Sequence, residues 1–161
     1  MNPKIYISGD HAGFKLKEKL KSWLNGKGFE IKDFGPYKYN KQDNYPDFVV
    51  PMARAIVKEQ TNGRTPKRGG HPRGLIIAGS GQGENIAVNK LKGIKCALYH
   101  GGNPQIVRIG RAHDDANVLS FGSRFVSEKE AKKAIDIFLN TKFDGGRHAI
   151  RLGKYAMLGS K

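Results

Sequence analysis

The chain has 161 residues, a formal net charge of +15 and a single cysteine. This length fits one domain around one buried core. It contains no apolar run of about 18 residues, and its first residues lead into a strand-like segment without the pattern of a signal peptide. These features predict a cytoplasmic protein that is not inserted in a membrane, and the lone Cys96 excludes an intramolecular disulfide.

The large positive charge raises nucleic acid as a partner, because clustered lysines and arginines release counterions from a phosphate backbone. The densest basic run covers residues 64–73, whereas most other lysines are spread over segments with helical periodicity. A small anionic substrate would also favour a positive field around its cleft. Charge alone therefore leaves both a nucleic-acid-binding protein and an enzyme acting on an anionic metabolite open.

Apolar segments typical of strands alternate along the chain with amphipathic segments typical of helices, as in a doubly wound parallel sheet. The predicted strands are 4–8, 30–34, 74–78, 95–99 and 117–121. The sequence therefore predicts an α/β fold of three layers, Rossmann-like, with a five-stranded parallel sheet and a C-terminal helical tail. We expect one domain over 1–161, with a basic surface loop at 61–73 and a tail at 141–161.

Helices are predicted between these strands from apolar periodicity and from stop and start signals. The predicted helices are 14–24, 47–60, one that follows Gly83, 104–112, 127–140 and a basic tail helix that follows 144–148 and reaches about residue 158. Ser127 is the expected N-cap of the fifth helix, because Glu130 stands three residues later and completes a capping box. Gly26 is expected to end the first helix.

Reactive and anion-binding residue types follow four of the predicted strands. The four segments are 9–13, the long loop that holds Tyr45, 79–84 and 122–124. Ligands of an open parallel sheet bind beyond the carboxyl ends of its strands. We therefore expect these segments to converge on one edge of the sheet and to form a cleft.

Segment 79–84 reads Gly-Ser-Gly-Gln-Gly-Glu and joins a strand to a helix. Backbone N–H groups at a helix start hold an anion or a developing oxyanion. Glu84 is either an ordinary first-turn carboxylate or a general base, and the nearby Ser80, Asp10 and His11 favour the base. The helix dipole lowers the pKa of such a carboxylate, so we expect burial by the substrate to strengthen this base.

Six motifs carry a resemblance to a known family. They are Gly9-Asp10-His11-Ala12-Gly13, Asn44-Tyr45-Pro46, residues 79–90, residues 111–119, Phe121-Gly122-Ser123-Arg124 and Gly145-Gly146-Arg147-His148. In this order, over residues 5–151, they resemble the ribose-5-phosphate isomerase B family, which includes the galactose-6-phosphate isomerase subunits. The resemblance implies an aldose-ketose isomerase that works through an enediol and needs no metal and no cofactor.

The resemblance also implies catalytic roles. One branch of the family has a cysteine base at the position of Ala78, and this sequence resembles the other branch, which has a glutamate base at the position of Glu84. Ser80 would assist at the substrate hydroxyls, with Asp10 also holding hydroxyls, and His113 would open the furanose ring as a general acid. The enediolate oxygen would be stabilised by the backbone amides of the glycine turn from Gly79 to Gly83, where Gly79, Gly81 and Gly83 are the expected substrate-binding residues.

The substrate-binding residues implied by the resemblance are mostly basic. Four residues would bind the phosphate: His11, Arg124, Arg147 and Arg151. Tyr45 would line the sugar pocket. At Asp114 the family often has asparagine, which donates to a sugar oxygen where an ionised carboxylate cannot. Ribose 5-phosphate, converted to ribulose 5-phosphate, is the expected substrate, and galactose 6-phosphate or allose 6-phosphate is the alternative.

The position of His113 makes a prediction about assembly. It precedes the fifth strand and so lies near the amino edge of the sheet, about 15 to 20 Å from Glu84. A two-fold homodimer, alone or in a dimer of dimers, would bring His113 to the partner's cleft, and the resemblance implies a site at such an interface. A nucleic-acid-binding protein on the same fold has no need for these acid and base residues, so the sequence does not favour it.

Overall fold

The computed structural model describes residues 2–61, 70–156 and 158. Its strands are β1 (Ile5–Gly9), β2 (Ile31–Asp33), β3 (Arg73–Ala78), β4 (Cys96–Tyr99) and β5 (Val118–Gly122). All pair in parallel in one sheet of order β2-β1-β3-β5-β4. The predicted five-stranded parallel sheet is confirmed, and no predicted strand boundary differs from the observed one by more than one residue.

Within the described residues, six helices connect the strands and follow the last one. They are α1 (Phe14–Gly26), α2 (Pro46–Thr61), α3 (Gln82–Asn89), α4 (Gln105–Asp114), α5 (Glu128–Asn140) and α6 (Arg147–Tyr155). The capping box at the start of α5 is confirmed, since the Glu130 amide donates to the Ser127 hydroxyl over 3.2 Å.

Two predicted helices have wrong boundaries, three boundaries in all. The third helix begins at Gln82 and not after Gly83, because Gly81 takes the left-handed conformation (φ +73°) that turns the chain directly into the helix. The tail helix begins at Arg147, inside the predicted turn, and ends at Tyr155 instead of near residue 158. The turn before it needs only Gly145 and Gly146, both of which have positive φ.

The core has one apolar layer on each side of the sheet, because successive strand residues point to opposite faces. Ile5 and Ile7 of β1 pack with Leu20 of α1 and Phe138 of α5. On the other side, Ile76 of β3 and Tyr6 of β1 pack with residues of α2 and α3. The predicted three-layer α/β architecture is therefore confirmed.

Part of the predicted peripheral segments lies outside the described residues. This holds for residues 62–69 of the basic loop and for residues 157 and 159–161 of the tail. Among the residues that are described, no helix is both long and apolar enough to cross a membrane. The cytoplasmic location and the single domain over the whole chain stay predictions.

Candidate active site

The loop after β1 is held tightly against β3 at the carboxyl edge of the sheet. The amide of Asp10 donates to the Ile77 carbonyl oxygen over 3.3 Å. Gly13 lies so close to the same strand that a Cβ atom there would be 1.8 Å from the Ile77 carbonyl oxygen. Only glycine permits this approach, which places Asp10 and His11 beside the end of β3.

Asp10 connects this loop to the glycine turn after β3. Its Oδ1 accepts a hydrogen bond from the Gly13 amide over 2.8 Å, and its Oδ2 accepts one from the Gly79 amide over 3.1 Å. Both carboxylate oxygens therefore fix backbone in place, and only their remaining lone pairs are left for substrate hydroxyls. The Gly79 amide is predicted to stabilise the enediolate. In the structure it already donates its hydrogen bond to Asp10.

The glycine turn is fixed by β5. The Ser120 hydroxyl donates to the Gly81 carbonyl over 2.9 Å, and a Cβ on Gly81 would lie 2.8 Å from that hydroxyl oxygen. The half-buried Ser80 accepts a weak bond of 3.4 Å from the Gln82 amide. The turn therefore presents the start of α3 at the carboxyl edge of the sheet.

Glu84 lies in the first turn of α3 and is only 4% exposed. Burial raises the pKa of its carboxyl group, its own backbone amide opposes this, and the negative charges of Asp10 and Asp43 raise the pKa further. The expectation that the substrate supplies the burial is wrong, because the protein already buries this carboxylate. A carboxylate with a raised pKa in a cleft is suited to act as a general base.

Tyr45 and Arg124 flank the glycine turn from two sides. A Cβ on Gly83 would lie 2.9 Å from the Tyr45 hydroxyl oxygen, and one on Gly79 would lie 3.2 Å from the guanidinium carbon of Arg124. The exposed Arg124 therefore places a cation beside the helix start. Both glycines are needed because these side chains approach the backbone so closely.

A second group of predicted site residues lies at the amino edge, where α4 ends. The Asp144 amide donates to the Ala112 carbonyl over 2.9 Å, which brings the start of α6 next to His113. The His113 and His148 rings stack with their centroids 4.1 Å apart and 11° between their planes. His113 Nε2 is 3.9 Å from a carboxylate oxygen of Asp144.

Several charged side chains of this second group act on the His148 imidazole. Burial lowers the pKa of its imidazole, and the positive charges of His113, Arg147 and Arg151 lower it further, while Asp144 opposes them. Two of the three arginines of the predicted phosphate site, Arg147 and Arg151, therefore lie with His113 at this edge. Asp114 is exposed at the same end of α4.

The predicted phosphate-binding set is thus divided within one chain. His11 and Arg124 lie at the carboxyl edge, whereas Arg147 and Arg151 lie at the amino edge beside His113. β5, Val118–Gly122, separates the two edges and spans about 13 to 17 Å at about 3.3 Å per residue. One chain does not bring all four side chains to one phosphate.

His113, Asp144 and His148 are also of the residue types that bind metals, and their nearest ligand atoms lie within 4.8 Å of one another. The lone pairs of an imidazole lie in the ring plane. Because the two rings are stacked nearly parallel, their lone pairs run side by side and do not converge on a common point. The arrangement fits anion binding and proton exchange better than the tetrahedral geometry of a metal such as zinc.

Sequence reasoning missed Asp43. Its carboxylate accepts a hydrogen bond from His11 over 2.7 Å, and its side chain is 4% exposed. Its position in the sequence could have indicated a site role. Asp43 precedes Tyr45 by two residues in the loop that follows β2, and this loop lies at the carboxyl edge of the sheet.

A buried carboxylate beside helix-start amides and the Arg124 cation is typical of a class of enzyme that moves protons on a small anionic substrate. Residues 5–155 match the family described as Ribose/Galactose Isomerase. Ribose-5-phosphate isomerase B of Escherichia coli strain K12 is 34% identical over 149 residues, covering 92% of this chain and 91% of that protein. The chain belongs to the ribose/galactose isomerase family.

Solved structures agree with this assignment. The ribose-5-phosphate isomerase B of Mycoplasma genitalium, crystallised with bound ribulose-5-phosphate, superposes with a TM-score of 0.86 at 36% identity, covering 97% of this chain and 95% of that one. A ribose 5-phosphate isomerase of Thermotoga maritima also superposes with a TM-score of 0.86, at 35% identity. The match covers 98% of this chain and 100% of that one. The family resemblance carried by the motifs is confirmed, and so is the Rossmann-like fold predicted from the alternating segments.

Proposed function

We propose that this protein interconverts ribose 5-phosphate and ribulose 5-phosphate by proton transfer through an enediolate. The observation that carries the proposal is Glu84, a buried carboxylate at the start of α3 whose pKa is raised by the protein itself. The relative from Mycoplasma genitalium holds ribulose-5-phosphate in its structure, and the Escherichia coli relative is a ribose-5-phosphate isomerase B.

The chemistry follows from what surrounds this base. Glu84 takes the proton from C2 of the open-chain aldose and returns it to C1, while the hydroxyl proton passes from O2 to O1 with help from Ser80. Negative charge develops on oxygen in the enediolate, and the amides of Gly81 and Gly83 stabilise it there. Asp10 fixes the turn and uses its remaining lone pairs to hold a substrate hydroxyl.

The working unit in this proposal is a homodimer. The amino edge of one chain completes the cleft of the partner. The residues that it contributes are His113, Asp114, Arg147 and Arg151. His113 then opens the furanose ring as a general acid, and the two arginines join His11 and Arg124 around the phosphate. This assembly explains why one chain divides the site between two edges of its sheet.

Exposed apolar side chains support such an interface. Ile106 and Ile109 of α4 are 55% and 38% exposed, Ile150 of α6 is 66% exposed, and Ile86 of α3 is 61% exposed. These helices adjoin the amino-edge group and the β4 side of the sheet. A two-fold contact would bury such side chains against their own copies.

The proposed function can be tested by measuring isomerisation of a panel of pentose and hexose phosphates by the purified protein, with a chelator present. Ribose 5-phosphate should be the preferred substrate, and in heavy water the ribose 5-phosphate recovered from ribulose 5-phosphate should carry solvent deuterium at C2. Galactose 6-phosphate or allose 6-phosphate as the better substrate would change the assignment within the family. Complete retention of the substrate hydrogen would favour a hydride shift, and no turnover of any member would contradict the proposal.

Replacing Arg147 or Arg151 with Ala should mainly raise KM, by about 10- to 100-fold for a lost bond between charged groups. Some loss of kcat should follow, since phosphate binding also orients the reacting carbons. Steady-state kinetics on ribose 5-phosphate measure both constants. Arg54→Ala, which removes an equal charge from an exposed position on α2, is the control and should leave KM unchanged. An unchanged KM in both test variants would remove these arginines from the site.

A further inference from the structure

The loop between β2 and α2 buries a carboxylate to which no role has been assigned. Asp43 is 4% exposed at its side chain, and its Oδ1 lies 2.7 Å from His11 Nδ1. Its Oδ2 is buried and has no hydrogen-bond partner among the described residues. Burying a carboxylate is costly unless it is paired, so a carboxylate whose only side-chain hydrogen bond within the described residues is to a site histidine needs an explanation.

The contact fixes how His11 faces the cleft. An ionised carboxylate only accepts hydrogen bonds, so the Nδ1 of His11 must carry the hydrogen and its Nε2 is left for a ligand. The ring also meets Tyr39 edge-on, with centroids 6.2 Å apart and 80° between planes. His11 is therefore held on two sides by the same loop.

Asp43 also acts on the base through its charge. The groups whose charges act on Glu84 are Asp10, from the loop after β1, and Asp43, from the loop after β2; both raise the pKa of the Glu84 carboxyl group, in addition to the larger effect of burial. Tyr45 and Arg124 stand at the adjoining glycine turn. One buried carboxylate is thus coupled to both the histidine and the base.

We propose that Asp43 is a positioning residue of this isomerase, which orients His11 toward the substrate and maintains a negative field at Glu84. The proposal rests on the proposed function, because it assigns Asp43 to the same reaction. A carboxylate that merely anchored the loop would affect folding stability and would change neither substrate affinity nor the pH dependence of turnover.

The test compares Asp43→Asn with Asp43→Glu. The Asn variant keeps the shape and loses the charge, so kcat/KM should fall about 10- to 100-fold, as for other groups that orient a site residue, mainly through KM. Without the like charge Glu84 ionises more easily, so the acid limb of its pH–rate profile should move to lower pH. The Glu variant keeps the charge, and its acid limb should stay near that of the wild type.

Asp47→Asn is the matched control, because it removes the same charge from an exposed position at the start of α2. It should leave both kcat/KM and the acid limb unchanged. A kcat/KM within about twofold of wild type for Asp43→Asn, together with an unmoved acid limb, would overturn the proposal.

A second measurement needs no variant of Asp43 and no activity. Nitrogen-15 NMR of the wild-type protein, with the His11 signals assigned by their loss in His11→Gln, should show hydrogen on Nδ1. A neutral ring with hydrogen only on Nε2 would overturn the proposal even if the Asn variant failed to fold. If the wild-type protein turns over no sugar phosphate, the proposed function is contradicted. The NMR experiment then still tests whether Asp43 accepts a hydrogen bond from His11 Nδ1.

Discussion

The Glu84→Gln variant is expected to lose about a thousandfold in kcat, or more, with little change in KM. The amide has nearly the shape of the carboxylate and cannot accept the C2 proton, and removal of a general base costs about 10²- to 10⁴-fold. Initial rates on ribose 5-phosphate across a range of concentrations separate the two constants.

Glu128→Gln is the matched control for this variant. Glu128 lies at the start of α5, where its carboxylate pairs with Lys19 and Lys132, and its replacement should leave turnover unchanged. The wild-type acid limb should also lie above the ordinary range for glutamate, because burial and like charges raise the pKa of Glu84. Near-wild-type turnover of Glu84→Gln would place the base elsewhere.

Hydrophobic runs are sufficient to locate the central strands of the sheet. Parallel strands covered by helices on both faces are buried along their whole length, so they stand out as continuous apolar segments between polar loops. β3 and β5 are buried at nearly every position. The rule that ligands bind beyond the carboxyl ends then places Asp10, Ser80 and Glu84 together from the order of residues alone.

Contacts between distant loops are not predictable in the same way. Asp43 and His11 are 32 positions apart, and the segment between β2 and α2 has no periodic pattern that would fix its path. The burial of Glu84 likewise depends on how several loops close around it. For this reason the sequence pattern predicts burial by the substrate, although the protein itself buries the carboxylate and raises its pKa.

The net charge of +15 is also a poor guide to function. Several lysines are held in ion pairs that a count of residues does not reveal. Lys17 is fully buried and donates to Asp33 over 2.9 Å, and Lys95 donates to Asp115 over the same distance. Such lysines serve the fold, but each pair holds one charge of either sign and leaves the net charge unchanged. The total of +15 therefore does not tell where the unpaired cations lie.

Mixing two inactive variants should restore activity if His113 serves the partner's cleft. Glu84→Gln and His113→Ala should each be nearly inactive with ring-closed ribose 5-phosphate, yet their heterodimer contains one doubly damaged site and one intact site. With random exchange at equal amounts, about half of the dimers are mixed and each has one working site of two, giving about a quarter of wild-type activity. Co-expression, or joint unfolding and refolding, ensures the exchange.

The structure supplies a control pair for this experiment. His113 and Arg147 lie together at the amino edge, so a heterodimer of His113→Ala and Arg147→Ala has no site in which both residues are intact. Its activity should only average that of the two parents, whereas the Glu84 and His113 pair should exceed both parents by a wide margin. If mass spectrometry shows Glu84→Gln and His113→Ala heterodimers while activity stays at the level of the separate variants, His113 acts on the cleft of its own chain and the proposed dimer is wrong.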